Sequence, residues 1–436
     1  MTIRFLSTRD GQREYTMEEM LIMGLAPDHG LFVPKDLPSL TPDSDNYDVI
    51  AKQVLDIFFK VDCVDAIYKG FPKERTKLVK LGDNYLLELF NGNSYAFKDV
   101  ALQTLGYLFQ HYSKEQLKVI VATSGDTGAA AIHGLKDHNI KVVVVYPKDR
   151  ISDIQHAQMT SVDHPCVKVV ELEGTFDDCQ AYVKKVLNTE PGWCAVNSIN
   201  FARIVAQMTY FIYTYKQLEK VYTKEELQKV TFVVPTGNYG NVLAGYYAKT
   251  IFQLDFKLHI ATNKNDVLYR LFQSGWYEKQ KVVSTHSPAM DITLPSNLER
   301  ILYYADGPEY VKHVYAELLA HDKVKMSDKV MSFLKSNFTV STTNDEQTIS
   351  TITDVYHKYN YVVCPHTAVG MYNRPNDYQV FLATAHPGKF PSAIQKALQL
   401  DVKAYTPPEL LQLLNKPKKC DKIKSYSELL STIKDF

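Results

Sequence analysis

Long apolar runs are missing from this 436-residue chain. The longest, such as Val142 to Val145, falls far short of the roughly 20 residues an α-helix needs to span a bilayer, so no membrane crossing is expected. An excess of one charge is missing too, with 49 Lys plus Arg against 49 Asp plus Glu. No global field recruits nucleic acid or an anionic membrane, and any anionic ligand must be held locally. The 29 tyrosines are scattered without a basic stripe and read as packing groups rather than base-stacking platforms. Cysteine is sparse: Cys63, Cys166, Cys179, Cys194, Cys364 and Cys420 form no Cys-x-x-Cys pair and have no histidines at ligand spacing. Neither a disulfide framework nor a metal site is therefore expected. The first ten residues lack the apolar centre of a signal peptide, and a reducing cytoplasm is the expected compartment. No lysine follows a glycine loop in Walker fashion and no Gly-x-Gly-x-x-Gly opens a strand–helix unit, which argues against P-loop NTPases and ordinary nicotinamide enzymes.

What the chain does have is ordinary globular composition, 45% hydrophobic and 22% charged, over a length that suggests two or three domains. Residues 1–80 read as a mostly helical amino-terminal domain broken by turns such as Ala26 to Gly30. From about Tyr85 onward, short β-branched runs alternate with polar loops and helical patterns, the signature of repeated βα units in a parallel sheet. Four units stand out. Lys118 to Ala122 leads into Thr123–Gly128, Thr231 to Val234 into Pro235–Asn241, Val380 to Leu382 into Ala383–Lys389, and Tyr361 to Cys364 into Pro365–Gly370. In a parallel sheet such loops leave the carboxyl edge, where open α/β folds bind ligands. Residues 81–436 are thus expected to form a catalytic region of two α/β domains, with an inserted or rim segment near 253–355.

Lys98 lies in Ser94-Tyr95-Ala96-Phe97-Lys98-Asp99, between an aromatic ring and a carboxylate. Desolvation there favours the neutral amine, which serves as a nucleophile or proton shuttle, although most lysines in such runs are surface groups. Gly237-Asn238-Tyr239-Gly240-Asn241 before a helix suits a phosphate, or equally a tight turn. Thr123–Gly128 suits a carboxylate or second phosphate, or an N-cap turn. Asn200 and Arg203 cluster at a helix start, where Arg203 is either an anion fork or a surface group. Thr384 ends a strand, and its hydroxyl can hold a ring nitrogen without charging it. His366 and His386 lack a nucleophile elbow, so they read as core or supporting residues. An amine, a phosphate nest and no metal ligands together fit pyridoxal phosphate.

Eight motifs in order carry a resemblance. They are Ala26 to Pro34, Tyr95 to Asp99, Ala122 to Ala130, Asn197-Ser198-Ile199-Asn200, Gly237 to Asn241, Ser287 to Ile292, Pro365 to Gly370, and Thr384-Ala385-His386-Pro387. Across them the chain resembles the threonine synthases of the fungal and bacterial branch with an extended amino-terminal domain. The resemblance implies an α/β, fold-type II pyridoxal-phosphate enzyme similar to the tryptophan synthase β subunit, with mostly parallel sheets and flanking helices. It implies that Lys98 bonds to the cofactor as a Schiff base and later moves the substrate's Cα proton, that Gly237, Asn238, Tyr239, Gly240 and Asn241 hold the 5′-phosphate, and that Thr384 faces the pyridine nitrogen. Ser124, Asp126 and Thr127 are the implied substrate-carboxylate loop, and Asn200 and Arg203 the implied substrate-phosphate ligands. The implied reaction turns O-phosphohomoserine and water into L-threonine and phosphate, in a cytoplasmic monomer. The chain departs from the family pattern at Asn91-Gly92-Asn93-Ser94, where His-Gly-Pro-Thr is usual, at Tyr239 for phenylalanine, and at Gly388 for alanine. Two other readings stay open: a phospholyase on the same scaffold releasing 2-oxobutyrate, and a cofactor-free binding or signalling descendant.

Overall fold

The computed structural model describes residues 3–148, 151–374, 377–434 and 436. Its centre is a pair of sheets with helices on their faces, the expected α/β arrangement. The larger sheet runs Phe338–Thr342, Lys257–Thr262, Thr231–Pro235, Asp377–Ala383, Asp83–Glu88, Lys77–Leu81. All neighbours in it are parallel except the edge pair Asp83–Glu88 and Lys77–Leu81. The smaller sheet is fully parallel, in the order Asp421–Ile423, Val167–Leu172, Lys141–Pro147, Lys118–Ala122, Trp193–Ala195. Its central strand is buried at six consecutive positions, Val142 to Pro147, which is why it reads as a continuous apolar run rather than an alternation.

The four expected units divide between these sheets. The loop after Lys118–Ala122 belongs to the smaller one, and the loops after Thr231–Pro235 and Asp377–Ala383 to the larger. The fourth unit is corrected: Tyr361 to Cys364 forms no strand and runs into the helix Pro365–Met371. Both sides of Asp377–Ala383 are already paired, with Thr231–Pro235 and Asp83–Glu88, so no ladder is open to it there. The 253–355 stretch supplies two strands, Lys257–Thr262 and Phe338–Thr342, to the larger sheet, and residues 263–337 run between them.

The amino-terminal residues contain a short antiparallel pair, Phe5–Ser7 with Phe32–Pro34, and the helices Met17–Met23, Tyr47–Phe58 and Val64–Ile67. Their packing onto the rest is hydrogen-bonded as well as apolar. Thr8 Oγ1 donates to Glu299 Oε1 at 2.6 Å, and Arg9 pairs with the same carboxylate at 3.0 Å. Buried Arg300 donates to Phe32 O at 2.8 Å and to Ile199 O at 2.6 Å, and its third bond goes to Asn297 Oδ1. One buried guanidinium thus ties the hairpin to two loops of the catalytic part.

The helix Lys98–Tyr112 is buried on nearly every face from Asp99 to Phe109. It packs against the helix Asp126–Leu135 through a pair of glycines. A Cβ on Gly106 would lie 2.0 Å from Gly134 O, and one on Gly134 2.6 Å from Leu102 O. Glycine is required at this crossing because the backbones themselves touch.

Candidate active site

Lys98 opens its helix, and Phe97 before it is fixed by donating its N–H to Thr384 O at 2.8 Å. Next to that bond Ala96 and Ala385 form an antiparallel bridge, and His386 N donates to Tyr95 O at 3.0 Å. Lys98 and Thr384 are therefore held on two short segments stitched backbone to backbone. The aromatic neighbour is as expected, with Lys98 Nζ 5.2 Å from the Phe97 ring centroid. The carboxylate partner is different. Asp99 turns to Ser94, whose N–H it accepts at 2.8 Å, while Lys98 Nζ lies 3.6 Å from Asp126 Oδ2. The exchange follows from helix geometry, since adjacent residues on a helix do not face each other.

Asp126 is the hub. Its Oδ1 accepts from Lys389 Nζ at 2.7 Å and from Gln155 Nε2 at 2.9 Å. Lys389, wholly buried, also donates to Ser94 O at 2.6 Å, which Gln158 Nε2 reaches at 2.9 Å. Burial alone would raise the Asp126 carboxyl, but Lys389 and Lys98 outweigh it and hold it well below the carboxylate range. Burial pushes the Lys98 ammonium below the ordinary lysine value, Asp126 pulls it back, and Lys389 and Arg203 push it down again. Asp99 rises to about 6 through burial, against the Ser94 N–H. Burial also takes His366 down to about 4. Neutral His366 accepts from Ala289 N through Nε2 at 3.2 Å, and its Nδ1 has no partner. His386 spends Nδ1 on Gly388 N at 3.1 Å, the supporting role expected of it. In Gly388, a Cβ would meet Thr406 Oγ1 at 2.7 Å, which accounts for glycine there.

Local sequence sets part of this. Ser152 and Gln155 form a capping box at the start of the helix Asp153–Thr160, and that reciprocal bonding fixes the Gln155 side chain. Its amide nitrogen is then free to hold Asp126. Ser152 Oγ also donates to Lys389 O at 2.9 Å.

The glycine loop meets the requirements of a phosphate. Tyr239 has a left-handed φ of 68° directly before the helix Gly240–Phe252, which has no side-chain cap. Alternating handedness turns successive N–H groups toward one point, at the positive end of the helix dipole. A Cβ on Gly237 would come within 2.6 Å of Ala289 O. Asn241 Oδ1 accepts from Tyr210 at 2.6 Å, and its buried Nδ2 is left without a partner. Asn238 contributes backbone, with its carbonyl anchored by Asn297. The Tyr239 ring belongs to the core, edge-on to Phe338, so only its backbone serves the cradle. An orphaned buried amide donor beside an uncapped helix start fits the cofactor's phosphate, and the desolvated amine of Lys98, at the start of a helix that follows another strand of the larger sheet, fits its aldehyde.

The remaining expected residues separate. Arg203 is buried, donates once to Val196 O at 2.8 Å, and leaves Nε without a partner. Burial with no carboxylate against it lowers it to about 10, which suits an anion. Asn200 is spent on structure: Oδ1 caps the helix at Ala202 N and Nδ2 donates to Leu21 O at 3.0 Å. Ser124 and Thr127 are part-exposed beside Asp126, but an ionised Asp126 repels a carboxylate rather than binding one. Thr384 is buried. Missed in the sequence are Lys389, Gln155, Gln158 and Asn297. The Ser152-x-x-Gln155 spacing marks one of them; nothing local marks the burial of Lys389.

A wide groove of about 1260 Å³ lies elsewhere, in the amino-terminal part between residues 35–43 and the helix Tyr47–Phe58. The ion pairs Lys35–Glu14 and Lys52–Asp56 occupy its walls, and no comparable chemistry gathers there.

Residues 75–374 match the family described as "Pyridoxal-phosphate dependent enzyme", residues 4–69 "Threonine synthase N terminus", and residues 366–436 "Threonine synthase, C-terminal". The chain is 38% identical to the threonine synthase of Saccharomyces cerevisiae, over 90% of this chain and 89% of that one. It is 36% identical to that of Schizosaccharomyces pombe, over 91% and 89%. A solved structure of pyridoxal-phosphate-bound threonine synthase from Brucella melitensis superposes with a TM-score of 0.92 at 32% identity, covering 99% of this chain and 98% of that one.

Proposed function

The chain belongs to the threonine synthase family of pyridoxal-phosphate-dependent enzymes, and from that premise we propose that it converts O-phosphohomoserine and water to L-threonine and phosphate, with Lys98 as its catalytic amine. The supporting observation is the buried Lys98 Nζ, depressed by desolvation and 3.6 Å from Asp126. The loop Gly237–Asn241 would hold the 5′-phosphate through backbone N–H groups and Asn241 Nδ2, and Thr384 would meet the ring nitrogen as a neutral partner. When bound, the cofactor supplies a conjugated ring that stabilises negative charge at the substrate's Cα. Lys98 Nζ takes the Cα proton, and burial, which lowers its proton affinity below that of a free lysine, favours the neutral amine that can do so. Asp126 holds the protonated amine electrostatically and is itself fixed by Lys389 and Gln155. Arg203, lacking a carboxylate partner, would take the substrate phosphate. A neutral threonine makes a weaker electron sink than a carboxylate would, so reaction specificity rests on positioning.

We also propose the division into residues 1–80 and a catalytic region 81–436 of two α/β domains, with Lys77–Leu81 already paired into the larger sheet. A cytoplasmic monomer without nucleic-acid or membrane partners completes the reading. The balanced charge and six unpaired cysteines support it, and among the described residues no helix is long and apolar enough to cross a membrane.

The test is to supply O-phosphohomoserine and resolve the products. Threonine with equimolar phosphate is expected; 2-oxobutyrate as the main product would overturn the assignment. Lys98→Ala should bleach the yellow of the purified protein. A protein that stays colourless after incubation with pyridoxal phosphate would defeat the Lys98 assignment.

A further inference from the structure

Beside the smaller sheet, three metal-ligating side chains converge. His156 comes from the helix Asp153–Thr160, Glu171 from the strand Val167–Leu172, and Cys420 directly precedes the strand Asp421–Ile423. A ring nitrogen, a carboxylate oxygen and the sulfur lie within 4.8 Å of one another. They are separated by 15 and 249 positions, so a search for short ligand spacing does not find them, and the expectation of no metal ligands is revised here.

The backbone fixes all three attachment points. The strands carrying Glu171 and following Cys420 are paired in register, Lys422 opposite Glu171. Lys419 N donates to Thr160 O at 2.7 Å, which ties the Cys420 segment to the helix of His156. Tyr146 also contacts the ligands: it donates to Glu171 Oε2 at 3.0 Å, and its ring meets that of His156 edge-on with centroids 5.7 Å apart. Such outer contacts hold ligands in binding geometry. The Glu171 side chain is only 12% exposed, yet Lys422 Nζ, 76% exposed, stays 3.9 Å from it. That is a long, solvent-screened partner for a nearly buried carboxylate.

We propose that His156, Glu171 and Cys420 bind one Zn²⁺ ion. The donor set decides the metal class: thiolate and imidazole suit zinc, whereas calcium and magnesium take oxygen ligands. Tetrahedral Zn–S of about 2.3 Å and Zn–N of about 2.0 Å require the ligand atoms to close to roughly 3.5 Å, a contraction of about 1 Å that side-chain torsions supply. On binding, the Cys420 thiol releases its proton to solvent and the S–Zn bond forms. Water fills the fourth position. The ion would staple the segment between the helix Pro408–Leu413 and the strand Asp421–Ile423 to the helix whose Gln155 and Gln158 reach Asp126 and Ser94. The ion takes no part in the chemistry at Lys98.

The experiment uses the chelator-stripped holoenzyme, dialysed to equilibrium against Zn²⁺ alone with the bound metal counted by mass spectrometry. One Zn²⁺ per chain is expected, with affinity weakened more than about 100-fold in His156→Asn and Cys420→Ser, beyond what loss of a supporting contact costs. If Cys420→Ser does not fold, Glu171→Gln is read the same way. Independently, Zn²⁺ should slow alkylation of Cys420, followed peptide by peptide, while leaving exposed Cys63 unchanged. Failure of the wild-type protein to take up Zn²⁺ in that dialysis would overturn the proposal. So would retention of the ion by the ligand variants, or alkylation of Cys420 at equal rates with and without Zn²⁺.

Discussion

Asp126→Asn removes a charge without removing volume, and Gln155 can still donate to the remaining carbonyl oxygen. At 2.7 Å and an effective dielectric of about 20, the gross attraction between Asp126 and Lys389 is about 6 kcal/mol. Desolvation of two buried groups takes back most of that, so the net worth of the pair is small. Breaking the pair is another matter, because it strands a lysine that is wholly buried with only the Ser94 carbonyl to solvate it. The expected cost of Asp126→Asn, and of Lys389→Met, is about 3–5 kcal/mol each. Removing both no longer strands Lys389 and leaves only Lys98 without its carboxylate, so the double variant should cost less than the sum by about 2 kcal/mol or more. The assay is urea unfolding of the holoenzyme, followed by circular dichroism and by cofactor absorbance, with the cycle evaluated where the two transitions coincide. Additivity within about 0.5 kcal/mol would refute the coupling and with it the account of how Asp126 is held. The sign with pH is fixed: a carboxyl depressed in the fold stabilises fully above its unfolded value near 3.9 and loses that contribution as pH falls toward its folded value.

Gly106→Ala must open the helix contact by more than about 1 Å to relieve a 2.0 Å approach to Gly134 O, at a cost of about 1–3 kcal/mol. Those helices begin at Lys98 and Asp126, so cofactor retention should weaken with stability; unchanged urea midpoint and absorbance would deny the contact its role. Acid should destabilise the protein between pH 6.5 and 4, since His133, His366 and His386 are each held at about 4 by burial. In that window the unfolded chain binds more protons, so stability rises with pH, by up to about 3 kcal/mol per histidine; Asp99, raised to about 6, opposes one of them. A flat profile in urea titrations from pH 6.5 to 4 would contradict this. Arg203→Ala should raise KM for O-phosphohomoserine at least tenfold, about 1.4 kcal/mol, and leave the cofactor absorbance in place. Loss of colour instead would reassign Arg203 to the cofactor.

The parts of the site that the chain writes locally were legible. The strand Lys118–Ala122 has the expected bounds, because a β-branched run is a short-range signal. Gly237 to Asn241 was legible for the same reason: glycines before a helix are conspicuous whatever surrounds them. Asn200 caps its helix and donates to the Leu21 carbonyl, 179 residues away, contacts that the sequence could not show because a helix-capping asparagine and a ligand asparagine share the same sequence context. The identity of the Lys98 counter-charge was not legible at all. Helix geometry turns Asp99, its neighbour in sequence, away from it, but that Asp126 takes its place depends on a glycine-mediated helix crossing whose closeness no single-residue propensity encodes.

The loops at this site are joined by two unlike means, and the difference has a mechanical consequence. Within the larger sheet the join is backbone, between the segments that follow its neighbouring strands Asp83–Glu88 and Asp377–Ala383: Phe97 N to Thr384 O, His386 N to Tyr95 O, and the Ala96–Ala385 bridge. Between the two sheets it is ionic: Lys389, in the loop after the larger sheet's strand Asp377–Ala383, reaches Asp126, in the loop after the smaller sheet's strand Lys118–Ala122. Backbone bonds carry no titratable group and hold Lys98 and Thr384 as one unit across the working pH range. The ionic join depends on Asp126 staying charged, and the charge of Lys98 depends on it as well. A perturbation of Asp126 therefore reaches both the junction between the sheets and the proton affinity of the amine. A change in the sheet junction that left the basicity of Lys98 untouched would require some other group to replace that carboxylate, and among the described residues the pairs with Lys98 and Lys389 both converge on Asp126.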